Sequence, residues 1–149
     1  MTTRYFEDIS TEEARICGSR VVTREEILDF AEQYDPQEFH VDEEAAADSQ
    51  LGGLVASGWH TAAVSMRLLV DGYLSEVAVV GALGVDRLRW RHPVRPGDEL
   101  TVDVSPLRKE PWDDRNGKVD FSVTATDQHD EEVLSRTDLV LIERRETGE

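Results

Sequence analysis

Cysteine, lysine and long apolar runs are nearly absent from this sequence. Cys17 is the single cysteine among 149 residues, so no disulfide can form within the chain and a reducing compartment is expected. No apolar run reaches the length of a membrane-spanning helix. The first ten residues, MTTRYFEDIS, lack the apolar core of a secretory signal. These absences favour a cytoplasmic protein that does not enter a membrane.

Basic residues are scarce as a class. There are 32 acidic residues against 16 basic ones, which gives a net charge of -16. Such a surface repels nucleic-acid phosphates and anionic membranes, so we expect neither as a partner. Lys109 and Lys118 are the two lysines. An acidic, lysine-poor surface favours adaptation to a high-salt cytoplasm, where counterions screen the repulsion, and an ordinary acidic cytosolic protein is the alternative.

The first half of the chain has apolar residues at helical spacing. Thr23 and Glu26 form a capping box, which predicts a helix that begins after Thr23. Pro36 disfavours a helical residue before it, so this helix should end at Asp35. Asp42 predicts the start of another short helix, through residues 43–47.

The longest predicted helix runs from Trp59 to Tyr73 and is apolar around most of its circumference. Its main apolar face consists of Ala62, Ala63, Met66, Leu69, Val70 and Tyr73, and Val64 and Leu68 extend this face around the helix. A helix of this kind is normally buried. We therefore expect it at the centre of the fold.

The second half alternates between apolar and polar residues with the period of β-strands. The segments are 87–91, 100–105, 119–126 and 139–142, and Val21 and Val22 end a further short candidate strand. Turn residues separate them at Pro96-Gly97-Asp98, at Asn116-Gly117 and at 127–130. Short connections predict an antiparallel meander of four strands wrapped around the central helix. This is the α+β outline of a hot-dog fold in one domain, 1–149, with residues 143–149 as a frayed tail.

An acid and a histidine five residues apart, Asp35 and His40, are the first candidate site. Pro36 keeps the intervening segment out of a regular helix, so both side chains are able to reach one water molecule. A carboxylate and an imidazole can take a proton from water and return one to a substrate. The alternative is that Asp35 caps a turn and that His40 is structural.

The second candidate is the segment ASGWHT at the start of the long helix. Its Ser57 and Gly58 precede free backbone N–H groups at the positive end of the helix dipole, where an oxygen that gains negative charge is stabilised. Gly58 has no side chain to obstruct a substrate. The alternative is a simple helix cap.

A stripe of arginines, Arg87, Arg89 and Arg91, is the third candidate. Guanidinium groups suit phosphates, and the alternative is salt bridging to acidic neighbours. The four histidines show no spacing typical of a metal site, so we expect no metal.

Three motifs in order, DPQEFHVDEEAA, GGLVASGWHTAA and WRHPVRPGDELTV, resemble the MaoC-like dehydratase family, which includes (R)-specific enoyl-CoA hydratases. The resemblance covers about Tyr5 to Ile142. It implies a hot-dog fold, a homodimer, acyl-CoA as substrate and no further cofactor. It also implies that Asp35 and His40 are catalytic and that the Gly58 N–H holds the thioester oxygen.

The chain departs from the hydratase signature at one point. The family usually has Asn-Pro at the second and third positions after the acid, where this chain has Gln37 and Glu38. The alternatives to a hydratase or dehydratase are a hot-dog thioesterase and a non-catalytic acyl-CoA-binding protein. The departure at Gln37 and Glu38 leaves the non-catalytic alternative open, whereas the Asp35–His40 spacing argues against the thioesterase alternative.

Overall fold

The alternating segments form a five-stranded antiparallel sheet in the computed structural model, which describes residues 2–146. The strands are β1 (Arg15–Val21), β2 (Val79–Trp90), β3 (Glu99–Pro111), β4 (Asn116–Thr126) and β5 (Glu132–Glu143). Their order across the sheet is β1-β3-β4-β5-β2. In β3, β4 and β5 alternate residues, such as Leu100, Val119 and Leu134, are fully buried. The period-two pattern of the sequence is thus the pattern of the core.

The predicted meander is confirmed for β3, β4 and β5 and is wrong for β2. Strand β2 pairs with β5 at the far edge of the sheet rather than with β3. Residues 91–98, between β2 and β3, contain Pro93 and Pro96, which cannot donate to a hairpin ladder. The backbone of this segment bonds to the residues before α4 instead of forming a hairpin. The backbone N–H of Ala56 donates to the carbonyl oxygen of Val94. Alternation predicts strands but not which strands are neighbours.

The turn predicted at Asn116-Gly117 lies four residues earlier. Both residues begin β4, and the turn at residues 112–115 is closed by Asp113, whose carboxylate accepts hydrogen bonds from the backbone of Arg115 and Asn116. Gly117 serves a different purpose. A Cβ there would lie 2.1 Å from a ring carbon of Phe6, so the glycine allows Phe6 to pack on the sheet.

Within residues 2–146, four α-helices accompany the sheet, and the predicted starts of two are confirmed. They are α1 (Arg24–Tyr34), α2 (Glu38–Val41), α3 (Glu43–Ala47) and α4 (Gly58–Gly72), with 3-10 turns at Phe6–Asp8 and Leu74–Glu76. The hydroxyl of Thr23 accepts from the backbone N–H of Glu26 at the start of α1. The carboxylate of Asp42 caps α3 in the same way. Each cap satisfies backbone donors that the first turn leaves free.

The long helix α4 packs against β1 and β3, and its predicted burial is confirmed in part: Leu69 and Tyr73 of the predicted face are each 1% exposed, but other residues of that face are not buried. The buried residues are His60, Thr61, Val64, Ser65, Leu68 and Leu69. Met66 and Val70, from the predicted face, are 42% and 36% exposed. The reason is that the sheet covers one side of a helix that is apolar nearly all round. The other side of α4 faces the edge strand β2 and lies open in the single chain.

The C-terminal segment is held by hydrogen bonds as far as Arg145. Glu143 ends β5, and the backbone N–H of Arg144 donates to the carbonyl of Arg115. The backbone N–H of Arg145 donates to Glu7. Residues 147–149 of the predicted frayed tail lie outside the described residues. Within residues 2–146, no helix combines the length and apolar character needed to cross a lipid bilayer.

Candidate active site

Asp35 is positioned by the end of α1. Its backbone N–H donates to the carbonyl of Ala31, so it closes the last turn, and Pro36 prevents the helix from continuing. The short helix α2 then turns the chain back. This turn brings His40, which is buried and only 6% exposed, beside Asp35.

The Asp35 and His40 side chains are in close proximity. The Nε2 atom of His40 lies 3.4 Å from Oδ2 of Asp35. On the other side of the ring, Nδ1 lies 2.7 Å from the carbonyl oxygen of Val55. A carbonyl only accepts, so Nδ1 carries the hydrogen and Nε2 of the neutral ring presents its lone pair. Two acceptors therefore face one another, an arrangement suited to holding both hydrogens of one water molecule.

Two donors hold the carboxylate of Asp35 in its charged form. The Ser57 hydroxyl donates to Oδ2 and the Gln37 amide donates to Oδ1, each at 2.7 Å. The hydrogen bond from Ser57, followed by that from Gln37, lowers the pKa of Asp35. Asp35 is therefore ionised at neutral pH. Gln37 thus binds the carboxylate of Asp35, whereas Glu38 is the first residue of α2.

Ser57 and Gly58 lie at the N-terminus of α4, as predicted. The fully buried Ser57 caps the helix by accepting the N–H of Trp59, and it donates to Asp35 at the same time. Its hydroxyl is thus fully engaged. The N–H of Gly58 donates to no acceptor within the described part of the chain.

Trp90, at the end of β2, covers Gly58 and was not recognised as a site residue from the sequence. Its indole Nε1 donates to the Gly58 carbonyl at 2.7 Å. A Cβ on Gly58 would lie 2.4 Å from the indole ring, so only glycine permits this contact. The glycine therefore accommodates a side chain of the protein itself.

A cavity of about 250 Å³ adjoins these residues. Its lining includes His40 and Gly58, together with Phe39, Leu51, Val55, Ala56, Thr61, Trp90, Arg91, His92, Pro93 and Val94. Asp35 and Ser57 are not among the lining residues, and His40 connects them to the cavity through its contact with Asp35. The segment after β2 thus forms one wall of the cavity. This segment is far from Asp35 and His40 in the sequence, so the spacing of residues did not indicate its role.

Comparisons with known proteins identify the family of this chain. A family model described as MaoC like domain matches residues 9–129. The chain belongs to this family. The uncharacterized protein YdeM of Bacillus subtilis (strain 168) is 32% identical over 124 residues, which cover 83% of this chain and 87% of YdeM. Protein MaoC of Klebsiella aerogenes is 32% identical over 107 residues, 71% of this chain but only 31% of MaoC.

Solved structures confirm the predicted hot-dog fold for this MaoC-like domain. The MaoC-like dehydratase from Rhodospirillum rubrum has 39% identity and a TM-score of 0.88, covering 97% of this chain and 99% of that one. R-Hydratase PhaJ1 from Pseudomonas aeruginosa has 20% identity and a TM-score of 0.77, covering 97% and 92%. A Mycobacterium tuberculosis protein with a double hotdog fold has 18% identity and a TM-score of 0.81, covering 99% and 46%.

The three arginines that were predicted to form one stripe do not lie together in the MaoC-like domain. Arg87 has a positive φ of 55° and lies in a β-bulge between Asp86 and Arg89, so period two fails there. Arg87 lines a separate depression on the outer face of the sheet. The guanidinium of Arg89 bonds only the carbonyl of Leu88 within residues 2–146. Arg91 alone lines the cavity beside His40.

His60 does not join the site, although it follows Gly58 closely. Its ring stacks on Phe30 of α1, with 4.8 Å between centroids, and burial lowers its pKa. His60 therefore joins α1 to α4. Across the described residues, no three His, Cys, Asp or Glu side chains gather as they would around a metal ion.

Proposed function

We propose that this MaoC-like domain adds water to a 2-enoyl-CoA or removes it from a 3-hydroxyacyl-CoA. The observation that carries the proposal is the 3.4 Å approach of His40 to Asp35 beside a cavity at the N-terminus of α4. Membership of a dehydratase family and the likeness in fold to an (R)-hydratase support it. The reaction needs only acid–base groups and oxyanion donors, so no cofactor besides the acyl-CoA is proposed.

In the hydration direction, Asp35 and His40 orient one water molecule. Each accepts one of its hydrogens, His40 through Nε2 and Asp35 through its carboxylate. As the water oxygen attacks the β-carbon, one proton passes to this pair and the α-carbon receives a proton from it, so the enzyme ends unchanged. A positioned base contributes about two to four orders of magnitude in rate.

The thioester oxygen is proposed to bind at the free N–H of Gly58. Negative charge grows on this oxygen as water attacks, and the N-terminus of α4 favours such charge. A donor of this kind is worth about 3–4 kcal/mol in the transition state. Among the arginines, Arg91 is the proposed contact for CoA because it lines the cavity, whereas Arg87 and Arg89 lie away from it.

We further propose that two copies pair through β2. This strand ends the sheet, so one row of its backbone groups has no strand beside it. Val80 and Leu83 on it are 56% and 46% exposed. A second antiparallel β2 would cover them and extend the sheet. Light scattering is expected to show a dimer that Leu83→Lys dissociates, and a monomeric parent chain would contradict the pairing.

Point variants of the acid–base pair test the chemistry. Asp35→Asn and His40→Ala are each expected to reduce hydration of an enoyl-CoA, followed by loss of enoyl absorbance, by at least about a hundredfold. The matched controls, Asp29→Asn on the exposed side of α1 and His129→Ala in the β4–β5 turn, should keep full activity. Full activity in either site variant would overturn the assignment.

The two alternative functions have separate readouts. A thioesterase would release free CoA thiol, which a thiol reagent detects, whereas hydration leaves the thioester intact. A non-catalytic protein would bind acyl-CoA without turnover on a broad panel of chain lengths. Either result with the parent protein would replace the proposed function.

A further inference from the structure

A second, larger concavity lies on the open side of α4. It is a groove of about 570 Å³ between α4 and the edge strand β2, and its lining is almost wholly apolar. The residues that face it include Ala63, Met66, Val79, Val85 and Leu88. The exceptions are two charged residues of β5, Arg136 and Asp138, which also line it.

Arg136 and Asp138 occupy inward positions of β5, where the period-two pattern places core residues such as Leu134 and Val140. Their side chains are 5% and 9% exposed. The Nε atom of Arg136 donates to Oδ1 of Asp138 at 2.7 Å. This is a buried ion pair in apolar surroundings, and its net charge is zero.

The pair keeps unused hydrogen-bonding capacity. Arg136 directs Nη1 to the Ser65 hydroxyl and to the Ala62 carbonyl, whereas Nη2 has only the Met66 sulfur, at 3.7 Å. Within residues 2–146, Oδ2 of Asp138 accepts no hydrogen bond. One donor on Arg136 and one acceptor on Asp138 therefore remain available at the wall of the groove.

Stability does not account for this pair. Removing two charges from water is costly, and well-packed apolar residues in place of a buried ion pair are often as stable or more stable. By contrast, a few polar groups in an otherwise apolar pocket are the usual means of orienting a ligand. The position of the pair fits this second role.

The groove adjoins the catalytic cavity. Trp59 lines the groove and Trp90 lines the cavity, and their rings meet edge to face with 5.0 Å between centroids. Ser65, which binds Arg136, is seven residues after Gly58 on α4, or about 10 Å along the helix axis. An acyl chain whose thioester lies at Gly58 would reach Arg136 with its distal part.

We propose that the groove binds the distal part of the acyl group and that Arg136 and Asp138 select chains carrying a neutral hydrogen-bonding substituent, such as a hydroxyl. A hydroxyl accepts from Nη2 of Arg136 and donates to Oδ2 of Asp138, so both free positions are used. A plain hydrocarbon satisfies neither, and a carboxylate is repelled by Asp138. This inference rests on the proposed function for the nature of the thioester substrate.

The test compares plain and ω-hydroxylated enoyl-CoAs, from hexenoyl to decenoyl, on the parent protein and on Arg136→Met/Asp138→Leu. The double variant avoids leaving one buried charge alone. The parent is expected to favour the best-fitting hydroxylated chain by about ten- to a hundredfold in kcat/KM, as for hydrogen bonds to charged groups. The double variant should lose this preference, measured as the ratio of kcat/KM for the hydroxylated and plain chains of equal length. Thr137→Val, on the opposite face of β5, is the matched control and should keep the preference.

Several outcomes would overturn the inference. These are a parent protein with no preference at any chain length, a double variant that keeps the preference, or a stronger preference for ω-carboxylated chains. Calorimetric binding of the saturated hydroxylated and plain acyl-CoAs repeats the comparison without turnover. Binding selectivity without hydration would refute the proposed function and leave the selectivity of the groove intact.

Discussion

The hydroxyl of Ser57 is expected to control the ionisation of Asp35, and Ser57→Ala tests this. The hydroxyl lies 2.7 Å from Oδ2 and is the leading cause of the lowered Asp35 pKa. The Asp35 side chain is 17% exposed, so solvent screens the contact only slightly. A hydrogen bond to a charged group is worth about 1.5–3 kcal/mol. Ser57→Ala removes this hydrogen bond and should therefore raise the Asp35 pKa.

The assay is the pH profile of kcat/KM, whose acidic limb should move to higher pH. Stability gives a second readout. Because folding lowers the Asp35 pKa, its contribution is present above the unfolded-state pKa and is lost as pH falls through the folded-state value. The destabilisation of Ser57→Ala, measured in urea, should therefore be larger at neutral pH than in acid.

Ser57 also caps α4, and a second variant separates the two roles. Alanine at a helix N-cap costs about 1 kcal/mol, whereas glycine costs only a few tenths. Ser57→Gly should therefore be the more stable variant but should show the same displaced acidic limb. An acidic limb that stays in place in both variants would refute the reasoning.

Two further predictions concern close packing and charge. Gly58→Ala should displace the Trp90 indole, because its Cβ would lie 2.4 Å from the ring, and should change tryptophan fluorescence and lower kcat/KM; an unchanged spectrum and rate would contradict this. Burial acts to raise the pKa of Glu13, but hydrogen bonds led by that from Arg4 lower it to about 2. Its stabilisation is present above the ordinary value of 4.5 and fades as pH falls toward about 2. In urea unfolding, Glu13→Gln should thus be less stable at neutral pH and less sensitive to acid, with exposed Glu12→Gln as the control that behaves like the parent.

Local signals predicted much of this fold. The capping residues Thr23 and Asp42 mark true helix starts, and alternation marks true strands. The neighbours of β2 were not predictable, because alternation describes the two faces of a strand and not its edges. The buried side of α4 was predicted only in part, since a helix that is apolar nearly all round has no single direction of burial.

The candidate site was predictable where its residues are close in sequence. Asp35 and His40 are joined by one short segment that Pro36 shapes, so their spacing reflects their proximity. Trp90 and Arg91 lie at and directly after the end of β2, far from Asp35 and His40 in the sequence, and they line the same cavity. No local spacing in the sequence indicates this proximity. Arg136 and Asp138 left a weaker signal, two charges at inward positions of a strand.

The site depends on where α1 ends. Asp35 is its C-terminal cap, and Thr23 fixes its other end through the hydrogen bond to Glu26. One residue more or fewer within α1 would turn everything beyond it by about 100° and shift it by about 1.5 Å. Ser57 and Val55 are held by the packing of α4 and the sheet, so the Asp35 carboxylate would no longer meet Ser57 and His40 would no longer meet Val55, even though every side chain of the site was retained. Among related sequences, insertions and deletions should therefore be rare between residues 23 and 35 and more frequent in the turn at residues 127–131.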